Sequence, residues 1–290
     1  MRIGCTFPHQ DIGNDPSAIR DFAQAAEALG YSHIMIYDHV LGAVRDGRNP
    51  PLEGGPYTEN SPFHEAFVTF GYLAALTSRI ELCTGIVILP QRQTVLAAKQ
   101  AAEVDILSRG RLRLAVGSGW NYVEYEGLGM DWANRGARYE EQITLMRKLW
   151  SEHVLDYRGK FHRIDRAGIL PRPTRNIPIW MGGAHDRVLR RAAKFADGFL
   201  FSRGGQRSLA AVKTVRDYVA ENGRDPAQFG IEACLDFTDG PDQWAPRLEL
   251  WRKAGATHTC IRTMGEQPMS PATQIAAIRR YAEAVGLKPA

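Results

Sequence analysis

Apolar positions along the chain switch repeatedly between a period of two and a period near 3.6, the marks of strands and helices. The clearest case is residues 111–150. Leu112, Leu114 and Val116 alternate with Arg111, Arg113 and Ala115, which predicts a strand. Gly117-Ser118-Gly119 ends it, and the missing Cβ atoms let a ligand or another chain segment come close to the backbone. An aromatic and acidic loop follows over 120–130. A helix then opens near Arg135-Gly136, with Ile143, Met146, Leu149 and Trp150 on one face.

The same reading divides the rest of the chain. Strands are predicted over 2–7, 32–37, 79–88, 177–181, 198–201, 229–237 and 257–263. The first helix starts at Asp15-Pro16, carries Ile19, Phe22, Ala23, Ala26 and Leu29 as its apolar stripe, and stops at Gly30. Further helices are predicted over 64–77, 94–108, 186–195, 206–222 and 241–254, and a last one from Ser270-Pro271. Two stretches break the alternation. Residues 40–62 form a long connection rich in Pro and Gly. Ordinary connections run to about 2–6 residues, so one of this length is functional or disordered. Residues 153–165, centred on Arg158-Gly159-Lys160, read as a hairpin inserted after the fourth helix. Eight strands alternating with helices predict an α/β fold, a (β/α)8 TIM barrel occupying residues 1–290 as one domain.

Composition narrows the function. The net charge of +4 is small for 290 residues and the basic residues are scattered, which argues against a nucleic-acid partner. No apolar run is long enough for a membrane span, and MRIGCTF lacks the apolar core of a signal peptide. The four cysteines (Cys5, Cys83, Cys234, Cys260) sit singly in strand-like runs and read as buried thiols. A cytoplasmic protein is expected.

In a TIM barrel the chemistry lies at the C-terminal ends of the strands. Asp38-His39, after the second strand, is the best acid/base candidate, because histidine exchanges protons near neutral pH. The plainer alternative is a cap and a satisfied polar side chain. Gly182-Gly183 before a helix suits a phosphate, and Ser202-Arg203 after the next strand adds a hydroxyl and a cation. His9 follows the first strand and is near enough to reach the pocket. The other histidines show no zinc spacing, so no metal is expected. Ser108-Arg109-Gly110-Arg111 precedes a strand and reads as a structural turn at the barrel bottom.

These motifs, in this order, resemble the luciferase-like monooxygenase superfamily. The resemblance rests on GSGW at 117–120 with Glu124 after it, RGARYEE at 135–141, Asp38-His39, Thr84-Gly85-Ile86, and Gly182-Gly183 followed by Asp197-Gly198. The GSGW and RGARYEE forms look most like the F420-dependent oxidoreductase branch. The resemblance implies a barrel binding F420, or alternatively reduced FMN, with the ring against the third strand at a cis peptide between Gly85 and Ile86. It implies that Asp38 meets the ring edge, that His39 handles the proton, and that Gly182, Gly183 and Ser202 hold the phosphate. Thr84, Gly117, Gly119 and Trp120 are expected around the same cofactor. It also implies a homodimer acting on a small-molecule substrate. Sugar-phosphate dehydrogenases of this group carry a Glu paired with the histidine just after the glycine turn. Trp120 stands there instead, which suggests a less polar substrate. The readings left open are hydride transfer with F420, monooxygenation with FMN and O₂, and cofactor binding without catalysis.

Overall fold

The computed structural model describes residues 1–55, 57–183, 185–265 and 269–289. Its strands are β1 (Arg2–Thr6), β2 (His33–Ile36), β3 (Glu81–Thr84), β4 (Val87–Ile88), β5 (Leu112–Gly117), β6 (Leu155–Arg158), β7 (Arg163–Ala167), β8 (Ile179–Gly182), β9 (Gly198–Phe201), β10 (Gly230–Asp236) and β11 (His258–Arg262). Its helices are α1 (Pro16–Ala28), α2 (Ala66–Leu76), α3 (Thr94–Leu107), α4 (Tyr122–Gly127), α5 (Arg135–Ser151), α6 (Asp186–Phe195), α7 (Gln206–Glu221), α8 (Pro241–Lys253) and α9 (Pro271–Ala284).

Parallel pairing runs β3-β2-β1-β11-β10-β9-β8-β5, and β5 pairs back onto β3. The sheet therefore closes on itself as an eight-stranded barrel ringed by helices, as the alternation predicts. Local chemistry starts the helices where expected. The Asp15 carboxylate accepts from Ser17 N at 2.8 Å to cap α1, and the Ser270 hydroxyl accepts from Thr273 N at 3.2 Å to cap α9. The inserted hairpin is the antiparallel pair β6–β7. The expected bottom turn is also present: Arg111 donates to the carbonyls of Ala74, Thr77 and Ile80, tying β5 to the end of α2.

Two expectations are refined. The third barrel strand is not continuous. β3 and β4 are separated by Gly85-Ile86, joined by a cis peptide bond. Cys83 pairs with Arg113 and Val87 with Val116, so the β3–β4 side holds one residue more than its partner between these points. That is a bulge, a device that bends a strand and re-aims its side chains. The second difference lies in 120–130, expected as loop. It contains the short helix α4, capped by Asn121, whose side chain accepts from Val123 N at 3.0 Å.

Side chains of the strands separate into two layers. Leu112, Leu114 and Val116 face the helices in the main core, while Ala115 joins Met35, Cys83, Trp180, Leu200, Cys234 and Cys260 in a second cluster. Trp180 fits because Gly198 and Gly230 flank it: a Cβ on either would stand 2.5 or 2.1 Å from its ring. All four cysteines are buried free thiols, and burial pushes each thiol above its ordinary value. No helix among the described residues is long and apolar enough to cross a membrane.

Candidate active site

The mouth of the barrel is organised around the break in its third strand. Gly85 is required there, since a Cβ would lie 2.4 Å from Met35 Sδ. The Ile86 side chain runs between two glycines: a Cβ on Gly117 or Gly182 would come within 2.6 or 2.8 Å of it. Gly119 is likewise pressed against Ile88, at 2.8 Å. The close approach offered by the glycine turn is thus taken up by the bulged strand. Thr84 is buried, and its hydroxyl donates to Ala115 O at 2.6 Å.

Asp38 secures the bulge from the β2 side. Its Oδ2 accepts from Ile88 N at 3.0 Å, and Arg92 grips both oxygens, at 2.6 and 3.3 Å. Arg92 also meets Glu65 at 3.0 Å. Burial works against the Arg92 charge, but the two carboxylates hold the guanidinium above its ordinary value. As placed, Asp38 faces Arg92 and the backbone of β4.

His39 lies in an aromatic box. Its ring centroid is 3.6 Å from that of Tyr57, 4.8 Å from Phe63 and 6.5 Å from Trp120. Its Nδ1 is buried without a hydrogen-bond partner among the described residues and stands 3.6 Å from Glu124 Oε2. Glu124 is fully buried on α4. Its Oε1 accepts from Val40 N at 2.7 Å and Leu41 N at 3.2 Å, and its Oε2 accepts from Tyr57 Oη at 2.9 Å. Burial pushes the Tyr57 phenol above its ordinary value, which keeps the donating proton in place. A carboxylate therefore does face the histidine, four residues beyond the position held by Trp120. The sequence marked Glu124 only as part of the family motif, not as the partner of His39, although Asn121 followed three residues later by an acid is a helix-start signal.

The same contacts order the long connection. Glu124 binds both its start and Tyr57 near its end, Arg45 donates to Gly55 O and Tyr57 O, and Asn121 donates to Leu41 O. Trp120 packs over Gly55, where a Cβ would lie 1.8 Å from the indole, and against Tyr57 at 5.0 Å. His9 is fully buried, its Nδ1 accepting from His64 N at 3.1 Å, so it is part of the packing beside the mouth.

Gly182-Gly183 and Ser202-Arg203 end adjacent strands, since Gly182 pairs with Leu200. Gly183 leads toward the start of α6, and Ser202 and Arg203 are exposed. Beside this group is a cavity of about 980 Å³ reached from the ends of β1, β2, β9, β10 and β11. A cavity of this size accommodates a cofactor or a drug-sized molecule. Of the residues that the sequence placed around a phosphate, Arg203 lines it while Gly182, Gly183 and Ser202 do not; Tyr37, next to Asp38, lines it too.

The family model for luciferase-like monooxygenases matches residues 1–264, and the chain belongs to that family of oxidoreductases. An uncharacterised Mycobacterium tuberculosis protein is 33% identical over 96% of this chain and 98% of its own length. An F420-dependent glucose-6-phosphate dehydrogenase of Nakamurella multipartita is 30% identical over 87% of this chain and 72% of its own. Among solved structures, the monooxygenase RslO1 of Streptomyces bottropensis superposes with a TM-score of 0.81 at 18% identity, covering 98% of both chains. An F420-dependent secondary alcohol dehydrogenase bound to an F420-acetone adduct superposes with 0.76 at 16% identity, again over 98% of both. The structural likenesses establish the shared barrel.

Proposed function

We propose that the protein is an F420-dependent oxidoreductase that transfers a hydride between the deazaflavin and a small, fairly apolar organic substrate. The observation that carries the reading is the pairing of His39 with the buried Glu124 beside the broken third strand. The 30% identical F420-dependent relative supports the choice of cofactor. The residues present fit such a group. The mouth offers a turn of two glycines and a hydroxyl for a phosphate, a histidine nitrogen without a partner among the described residues, and a large adjoining cavity.

When bound, the deazaflavin supplies the hydride chemistry. The chain supplies the rest. Gly182, Gly183 and Ser202 would hold the cofactor's phosphate. Asp38 fixes the bulge through Ile88 N rather than by touching the ring, and Gly85-Ile86 with Gly117 and Gly119 form the backing. Glu124 faces Nδ1 of His39 and orients the imidazole, so Nε2 is the atom that exchanges a proton with the substrate. The described part of the connection, residues 40–55 and 57–62, keeps water from that proton together with Trp120.

A fluorescence titration of the purified protein with F420 and with FMN tests this, with F420 expected to bind in the micromolar range or tighter. Tight binding of FMN alone would replace the reading with FMN-dependent monooxygenation, which the family description favours. We further propose a homodimer in the cytoplasm. α2 is apolar on nearly every side and leaves Val68 at 72% exposure and Tyr72 at 40%, a face that a second copy would cover.

A further inference from the structure

Among the described residues, the large cavity at the mouth carries one sign of uncompensated charge beside a partly apolar wall. Phe63, Phe237, Met264 and Met269 supply the apolar surface. Of the charged groups, Arg262 donates to the Asp236 carboxylate, with both side chains about 30% exposed (29% and 31%). That pair is neutral as a unit. Arg203 is exposed, lines the same cavity, and has no carboxylate partner among the described residues. Among the described residues the lining therefore carries one unmatched positive charge. Of the polar lining residues, Thr263 already donates its hydroxyl to Gln274, while Gln10 and Thr238 also line the cavity.

The cavity also reaches the reacting end of the site. Tyr37 lines it, and the same ring lies against the strand break, 3.4 Å from where a Gly85 Cβ would be. A molecule lodged there has one end near Arg203 and another beside the position expected for the cofactor ring.

We propose that this cavity is the substrate site and that it selects a monoanion on an apolar body, an aromatic or alicyclic carboxylate whose charged end pairs with Arg203. One free guanidinium matches one carboxylate in charge and in its two-point geometry. A sugar phosphate fits less well: its second negative charge finds no second unpaired cation among the described lining residues, because Arg262 is already paired with Asp236. The inference depends on the F420 reading for what then happens to the substrate, but not for its binding.

The test is calorimetric titration of the protein and of Arg203→Gln with 3-phenylpropanoate, 3-phenylpropanamide and glucose 6-phosphate, beside an F420 titration of both proteins. Arg203 is exposed, so the variant folds, and its melting temperature checks this. The carboxylate is expected to bind the unmodified protein at least tenfold tighter than the amide, and glucose 6-phosphate more weakly than the carboxylate. Arg203→Gln should remove the tenfold preference, leaving amide and F420 affinity unchanged. Equal binding of acid and amide, tighter binding of glucose 6-phosphate, or no binding of any of the three overturns the proposal. Loss of F420 affinity in Arg203→Gln also overturns it, by assigning the arginine to the cofactor. Failure of F420 to bind the unmodified protein sinks the cofactor reading instead and leaves the anion result standing.

Discussion

Both ends of the barrel bury charge, and they do it differently. At the bottom, His33 Nε2 meets Glu232 Oε1 at 2.6 Å, Arg113 donates to Glu232 at 2.5 Å and to Glu81 at 2.9 Å, and the guanidinium lies over Trp180 at 4.4 Å. These groups come from β2, β3, β5 and β10 and are locked by the register of the sheet. At the mouth, Asp38, His39 and Glu124 stand on residues just beyond strands or on a short helix, and His39 Nδ1 faces its carboxylate at 3.6 Å without a hydrogen bond. The bottom network pairs its carboxylates with cations to hold strands together, although Arg113 Nη2 and His258 Nε2 have no partner there among the described residues. The mouth leaves a proton-carrying atom uncommitted, and that is where a reaction can be run.

The largest expected effect breaks the bottom. Arg113→Leu leaves the Glu232 carboxylate, now held below its ordinary range against burial by Arg113 and His33, with half its partners. Removing one member of a buried pair costs about 3–5 kcal/mol. Urea unfolding should show that loss, while the folded fraction keeps its affinity for F420. An unchanged unfolding midpoint would mean that the network contributes nothing to stability.

At the mouth the same kind of change should spare stability and remove turnover. His39→Ala is expected to slow turnover about 10²–10⁴-fold with F420 affinity retained. Glu124→Gln preserves the shape that receives Val40 N and Leu41 N but removes the charge facing the imidazole. At 3.6 Å the loss is of a facing charge, a fraction of the about 4 kcal/mol that two unit charges exchange near this distance at a protein surface, so turnover should fall about 10–100-fold. Steady-state kinetics decides between roles. A rise in KM with kcat intact would make Glu124 only a loop anchor.

The contrast also explains what was legible in the sequence. Alternation and the helix stops gave the barrel, because Leu112, Leu114 and Val116 pack outward on helices as an amphipathic strand should. The bottom network was hidden because the polar positions of such a strand look solvent-facing. In a closed barrel that face points inward, and Arg113 is only 2% exposed. The break at Gly85-Ile86 came from family resemblance alone, since the run from Ile80 to Ile88 gives no sign of interruption. Asp38 and His39 were found by position at a strand end. Their partners Arg92 and Glu124 were not, because each reaches the site from a different unit of the fold.

The smallest effect compares one histidine from each end. Burial, aided by Arg113, holds His258 down to about 3, against the opposing pull of Glu232; His33 and Glu81 also face it. Burial, aided by His64 and His39, holds His9 down to about 3. Both stay neutral in the fold, while in the unfolded chain they protonate near the ordinary value of 6.5. Below 6.5 the unfolded chain thus binds more protons, and stability must fall as the pH drops toward 3. Glu81 and Glu232, held below their ordinary 4.5, add to the loss only under that value. Between pH 7 and pH 6 each histidine should therefore remove about 0.7 kcal/mol, and the two together about 1.4 kcal/mol. Urea unfolding at the two pH values measures the sum. His258→Asn should halve the pH dependence, and His9→Asn should halve it equally. If only one does, the two ends differ in how dry they are as well as in how their charges are paired.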